Sequence, residues 1–241
     1  MTMDSTRPLL LNAALLISSL LIAGCAGTGS PGDPLEPFNR GVYRFNDTVD
    51  KAVFKPVAKG YSAVMPAFGK TMVSNFFSNL DDVVVTANDL LQFKLKQGLS
   101  DGTRFVVNST IGIFGLFDPA STVGLEKHNE DFGQTLGKWG LGNGPYIVLP
   151  FLGPSSLRDG VGLYADGYAS PTYQIDHMRT RNQAYLTKAV SKRAELLDQE
   201  QVLDEAMIDR YQFIRDTYLL YRNNQVHDGN VPRVRYDEEE E

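Results

Sequence analysis

The residue types able to do covalent chemistry are few in this chain, and they stand apart. Its three histidines, His128, His177 and His227, are far from one another in sequence. None has a partner at i+3 or i+4, the spacing that puts two imidazoles on one helical face to hold a metal ion. His177, next to Asp176, reads as an exposed polar residue rather than a base. Ser155 or Ser156 could offer a nucleophilic hydroxyl, but a serine needs a neighbouring base to activate it, and none is visible. No G-x-S-x-G elbow is present. Ser156 with Asp159 instead has the S-x-x-D spacing of a helix N-terminal cap. Glu126, Glu130 and Asp131 could hold a carboxylate pair, yet acids beside Lys127 on a loop usually face water. No phosphate-cradling glycine loop followed by Lys-Ser/Thr occurs. The sequence therefore predicts no enzyme, no metal and no cofactor.

Cys25, the only cysteine, carries chemistry of another kind. It closes an apolar run, Leu9 to Ile22, followed by the small residues Ala23 and Gly24. A secretory signal needs this order, because the peptidase binds an extended, unhindered backbone. The run is broken by Asn12, Ser18 and Ser19 and falls short of the roughly 20 apolar residues of a membrane-spanning helix. A cysteine at the junction resembles a bacterial lipobox, in which the thiol is acylated, typically with palmitate, and the chain is cut before it. Ala26 at the next position favours sorting to the outer membrane.

Composition sets further bounds. Removing residues 1–24 takes away one acid, Asp4, and one base, Arg7, so the net charge stays at −6. Nucleic-acid binding needs clustered Lys and Arg, so no nucleic-acid partner is expected. An acylated Cys25 leaves no thiol for a disulfide. The expected organisation is a signal peptide (1–24), a Gly/Pro/Ser-rich tether (25–32), one helical domain (33–224) and a polar, acidic, disordered tail (225–241).

Helical period dominates the domain. Asp33 can cap a first helix with Pro34 at its first position, or Pro37 can shift the start by one turn. Phe38, Val42, Phe45, Val49 and Val53 then form one apolar stripe, opposite Arg40, Arg44, Asp47 and Lys51. Pro56 and Pro66 bracket a short segment. Asp81 or Asp82 is expected to cap a helix closed by Gly98, and Ser100-Asp101 to start the next. Leu203, Met207, Tyr211, Ile214, Tyr218 and Tyr221 form a C-terminal stripe. No set of evenly spaced strands appears, so the class is mainly α.

Two stretches break the period. Ile111, Ile113, Phe114, Leu116 and Phe117 are apolar on all sides and must be buried in protein or in lipid. Residues 132–153 are glycine-rich, and Asn143-Gly144 favours a tight turn between two short extended arms. The segment is either a static hairpin or a mobile loop.

Several strings together resemble the MlaA/VacJ family of outer-membrane phospholipid-transport lipoproteins. They include Asp33-Pro-Leu-Glu-Pro-Phe-Asn-Arg40, Ser74-Asn75-Phe76, Asn108-Ser-Thr-Ile-Gly112 and Phe132-Gly-Gln-Thr-Leu-Gly137. The most specific is Gly144-Pro-Tyr146 with Leu149-Pro-Phe151, Gly153-Pro-Ser155 and Leu157-Arg-Asp159. The resemblance implies a monomeric, ring-like domain of amphipathic helices in the inner leaflet of the outer membrane, beside a trimeric porin. Such a protein draws mislocalised phospholipid from the outer leaflet through an amphipathic pore and passes it to a periplasmic carrier serving an inner-membrane transporter. On that expectation Arg158, Asp159 and Lys188 are candidate head-group contacts at the pore. Gly137, Gly140, Gly142 and Gly144 are candidate hinges of a gating loop, and Ile111 to Phe117 a candidate membrane contact. The alternatives are a non-catalytic envelope scaffold and, behind it, a lipid or glycan hydrolase.

Overall fold

A computed structural model of the chain describes residues 33–197, 199–200 and 209–232. The signal segment, Cys25 and the tether lie outside these residues, as do Leu203 and Met207 of the predicted stripe. The domain is mainly α-helical. Its helices are α1 (Glu36–Val49), α2 (Lys55–Val64), α3 (Ala67–Leu91), α4 (Leu95–Thr110), α5 (Pro119–Thr122), α6 (Phe132–Lys138), α7 (Leu157–Ala169), α8 (Met178–Glu195) and α9 (Arg210–Val226). One antiparallel hairpin joins β1 (Tyr146–Leu149) to β2 (Gly153–Ser156).

Local sequence explains most boundaries. Pro37 enters the first turn of α1, so the later of the two predicted starts holds. A single π-helical turn, Asp50–Phe54, links α1 to α2 and ends two residues before Pro56. Proline has no N–H and crowds the carbonyl four residues back, and a widened turn accommodates both effects. Ser156 caps α7 by accepting the Asp159 N–H at 3.1 Å. The hairpin turns at Pro150–Leu152, with Phe151 and Gly153 at positive φ, and not at Asn143-Gly144 as expected. The latter pair leads into β1, where the Asn143 carbonyl accepts the Arg158 N–H.

Two predicted helix caps are interior residues instead. Asp82 lies mid-way along α3, and Asp101 lies within α4, which also contains Gly98. Both acids are fully buried. Nor are Glu130 and Asp131 merely solvated. Glu130 is buried against Gln92 and Lys94, and Asp131 caps α6 and pairs with Arg222. The expected boundary at 224 also moves. Val226 is buried, and Asp228 pairs with Lys94 and Lys138, so residues 225–228 are tied to the domain.

The interior is polar. Among the described residues, buried polar or charged side chains outnumber buried apolar ones by 20 to 8. A water-soluble domain of this size normally shows the reverse. The apolar core is a small cluster of Tyr146, Val148 and Tyr211, flanked by Val42, Tyr43, Tyr218 and Leu219. The predicted stripe is split: Val42 packs against this core, while Phe38 and Phe45 on α1 and Val53 in the π turn are each about half exposed. The inward positions are Asn39 and Asn46. The Asn39 amide donates to the Tyr146 carbonyl and accepts from the Val148 N–H; Asn46 does the same with Leu149 and Phe151. Two amides seven residues apart thus substitute for a third strand along β1.

A polar passage between two helices

Helices α3 and α8 each turn a polar face toward the other. On α3 this face carries Lys70, Ser74, Ser78 and Asp81, recurring at helical spacing; on α8 it carries Lys188, Ser191, Lys192 and Glu195. Between them lie two clefts of about 330 and 410 Å³. Both are lined by Ser74, Ser191 and Glu195, so they meet along the helix pair. The first extends to Tyr61, Thr71 and Asn75, the second to Lys127 and Asn129. Four lysines face two carboxylates, Asp81 and Glu195, on these walls, in a chain whose net charge is −6. Asp82 neutralises Lys127 from behind the wall, so the passage keeps one lysine in excess, which favours an anionic group.

Ion pairs set the lining. Lys188 binds Asp81 at 2.6 Å, both part-exposed, and Lys192 reaches Glu195 at 3.2 Å. The Ser74 hydroxyl donates to the other Glu195 oxygen at 2.7 Å. Lys127 donates to the Ser78 carbonyl and to Asp82. Burial pushes the Asp82 carboxyl above its usual range against the pull of Lys127.

The outer surface is the complement of this lining. On α4, Leu95, Leu99 and Val106 point outward, while Asp101, Arg104 and Asn108 are buried on the opposite face. Arg104 donates to both oxygens of Asp118, at 3.2 and 3.0 Å, and to the Ser121 hydroxyl. Burial raises the Asp118 carboxyl, but hydrogen bonds from Ser121, Asn108 and Arg104 outweigh it and hold it at about 2. The apolar segment leaves α4 as a tight turn. Ile111, Ile113 and Phe114 are 72%, 54% and 77% exposed, which puts them on the surface rather than in the core; Phe117 is also exposed and Leu116 half-buried. The Asn75 amide holds the turn through the Leu116 carbonyl, and Phe68 stacks near Phe117. No helix among the described residues is long and apolar enough to cross a membrane.

Of the three candidate head-group contacts, Lys188 lines the passage. Arg158 and Asp159 lie elsewhere, buried in an ion cluster between α6, α7 and α9. There Asp159 accepts from Arg158, Arg222 and the Tyr218 hydroxyl. Their place in the fold is that of internal ties, and neither lines the two clefts. Gly137 is helical, and a Cβ there would meet Val226 at 2.8 Å and Arg158 at 2.9 Å, so it is packed and not a hinge. Gly140 and Gly142 border open space, and Gly140 and Gly144 have positive φ. The histidines find no serine. His128 contacts Asp101, His177 caps α8, and His227 contacts a carbonyl of its own helix.

A fold with polar walls inside and apolar faces outside suits a molecule that is itself amphipathic, and the comparisons agree. A model of the family described as "MlaA lipoprotein" matches residues 31–225. The chain belongs to the MlaA lipoprotein family. It is 34% identical over 214 residues to the intermembrane phospholipid transport system lipoprotein MlaA of Escherichia coli strain K12, covering 86% of this chain and 84% of that one. The Haemophilus influenzae protein of the same description is 31% identical over 226 residues, covering 90% of each chain. A solved structure, described as the structural basis for maintenance of bacterial outer membrane lipid asymmetry, superposes with a TM-score of 0.71 at 30% identity. It covers 81% of this chain and 100% of the other. MlaA membership accounts for the mainly helical class and for the motif strings around the hairpin. The residues missed in the sequence, Arg104, Arg222 and Glu195 among them, belong to no motif of known chemistry. One signal was available: Asn75, Asn79, Asp82 and Asp89 on α3 keep helical spacing, as do Asp101, Arg104 and Asn108 on α4. Polar stripes at helical period on both partners of a helix pair indicate a polar interior.

Proposed function

We propose that this protein moves phospholipids within the bacterial envelope and so maintains the lipid asymmetry of the outer membrane. The observation that carries the reading is the inverted amphipathicity: lysine-lined clefts between α3 and α8, and apolar side chains directed outward around them. A phospholipid head group cannot cross hydrocarbon cheaply without a polar path. Here the head group follows the polar passage, with Lys188 among its contacts, while the acyl chains stay with the apolar faces. Acylated Cys25 anchors the chain in the periplasm-facing leaflet, and Ile111 to Phe117 dips into it. Lipid is drawn from the outer leaflet and handed to a periplasmic carrier, with a trimeric porin as neighbour. Gly140 and Gly142 let the segment ahead of the hairpin move. No bond is made or broken.

The test is the outer-leaflet phospholipid content of cells lacking the protein, complemented with wild type or with Cys25→Ala. Surface phospholipid that accumulates and is cleared only by wild type supports anchored removal. A surface unchanged by the deletion rejects the transport reading.

A further inference from the structure

The lysines of the passage are not equivalent. Lys188 is held by Asp81, Lys192 by Glu195 and Lys127 by Asp82. Lys70, half-buried on the wall of the first cleft, has no carboxylate partner among the described residues. Across the same cleft the Tyr61 hydroxyl is shielded from solvent and has no hydrogen-bond partner among those residues. A half-buried ammonium and an unused hydroxyl lining one cleft are what a phosphate would complete, through charge-assisted hydrogen bonds. Glu195 supplies the opposite charge. Its Oε1 is fixed by Ser74, and its Oε2 is engaged by Lys192, which is 74% exposed in its side chain and so held weakly.

Resting on the transport reading, we propose that this cleft is a head-group subsite for a zwitterionic, primary-amine phospholipid. Lys70 takes the phosphodiester, joined by the Tyr61 hydroxyl once it turns out of its shielded position, and Glu195 takes the ammonium, displacing Lys192 into solvent. An anionic phospholipid without an amine uses only the first half of the site. The cleft, at about 330 Å³, admits a head group and leaves the acyl chains outside.

The purified full-length lipoprotein in detergent is titrated with dioctanoyl-phosphatidylethanolamine, dioctanoyl-phosphatidylglycerol, dioctanoylglycerol and inorganic phosphate, and bound ligand is read by native mass spectrometry. Wild type is expected to prefer the ethanolamine lipid and to bind both phospholipids above dioctanoylglycerol and free phosphate. Lys70→Gln weakens both phospholipids about tenfold, the loss of one hydrogen bond to a charged group, and Lys70→Arg restores them. Tyr61→Phe weakens both about threefold. Glu195→Gln weakens only the ethanolamine lipid, about fivefold. Thermal melting of each variant checks that the fold is kept. Unchanged phospholipid binding in Lys70→Gln and Tyr61→Phe overturns the subsite while leaving transport standing. Equal losses of both lipids in Glu195→Gln overturn its amine half, and binding of inorganic phosphate as tight as that of the lipids overturns the head-group assignment. Wild type that binds neither phospholipid above dioctanoylglycerol speaks against the transport reading itself.

Discussion

Arg222 of α9 grips Asp159 of α7 with two parallel hydrogen bonds, Nε to Oδ2 at 3.0 Å and Nη2 to Oδ1 at 2.9 Å. The same guanidinium donates twice more to Asp131, the cap of α6. One side chain therefore ties three helices in a region with little apolar core. Burial pushes the Asp159 carboxyl up, but Arg222, Tyr218 and Arg158 outweigh it and hold it at about 2. Removing one partner of a buried pair strands the other charge. Arg222→Met should cost about 3–5 kcal/mol in denaturant unfolding, and adding Asp159→Asn should recover part of that loss. A loss under about 1 kcal/mol would mean the cluster is solvated and weak.

Where α6 crosses α7, the contact is backbone on backbone. A Cβ on Gly162 would lie 2.3 Å from the Gly133 nitrogen and 2.7 Å from its Cα. Neither atom can rotate away, so the helices would have to part and stretch the Arg222 bridge. Gly162→Ala should destabilise by about 1–3 kcal/mol or more by overpacking. Gly160→Ala, on the same helix with only the Ser155 hydroxyl at 3.8 Å, is the control and should melt close to wild type.

Helix positions were legible in the sequence because the apolar period is strong on α1 and α9. The direction of each face was legible only through the expectation of a lipid environment, since period alone does not say which solvent a stripe meets. Asp82 and Asp101 were read as caps because an acid inside a helix normally seeks water. What keeps them inside is a set of partners distant in sequence, Arg104 and Lys127 for Asp82 and His128 for Asp101. Arg158 and Asp159 were found as a conspicuous charged pair, but their use depends on Arg222, 63 residues away from Asp159. No local rule links those positions. The passage is illegible in the sequence for the same reason: α3 and α8 approach only in the fold.

Ile113 and Phe114 sit side by side at positive φ, 52° and 55°, and are exposed. That backbone region is costly for a β-branched or bulky residue, about 1–3 kcal/mol each, and is tolerated best by Asn, Asp or Gly. Strain combined with exposed apolar side chains gives nothing to folding in water. It is accounted for if the two side chains enter a bilayer. Ile113→Asn with Phe114→Asn should therefore leave the melting temperature of the purified protein unchanged or raise it, and reduce its flotation with phospholipid vesicles. Lower stability with unchanged flotation would place these residues in the packing of the domain.

Asp89 is fully buried, with Asp101 and Glu130 as acidic neighbours. Burial, a hydrogen bond shared with Asp101 and the charges of Asp101 and Glu130 push its carboxyl up to about 7. Among the described residues the second oxygen of Asp89, Oδ2, has no hydrogen-bond donor, which favours the neutral form of this side chain. The unfolded chain loses this proton near 3.8, so across the interval from there to about 7 the folded state holds one proton more. Stability from this group is complete below pH 4 and declines as pH rises through 7. Asp89→Asn keeps the shape and carries no proton to lose. Melting temperatures between pH 5 and 8 should fall less steeply for the variant than for wild type, with the variant ahead at pH 8. Parallel curves would show that Asp89 is ionised in the fold, its carboxylate held by the hydrogen bond from Gln97.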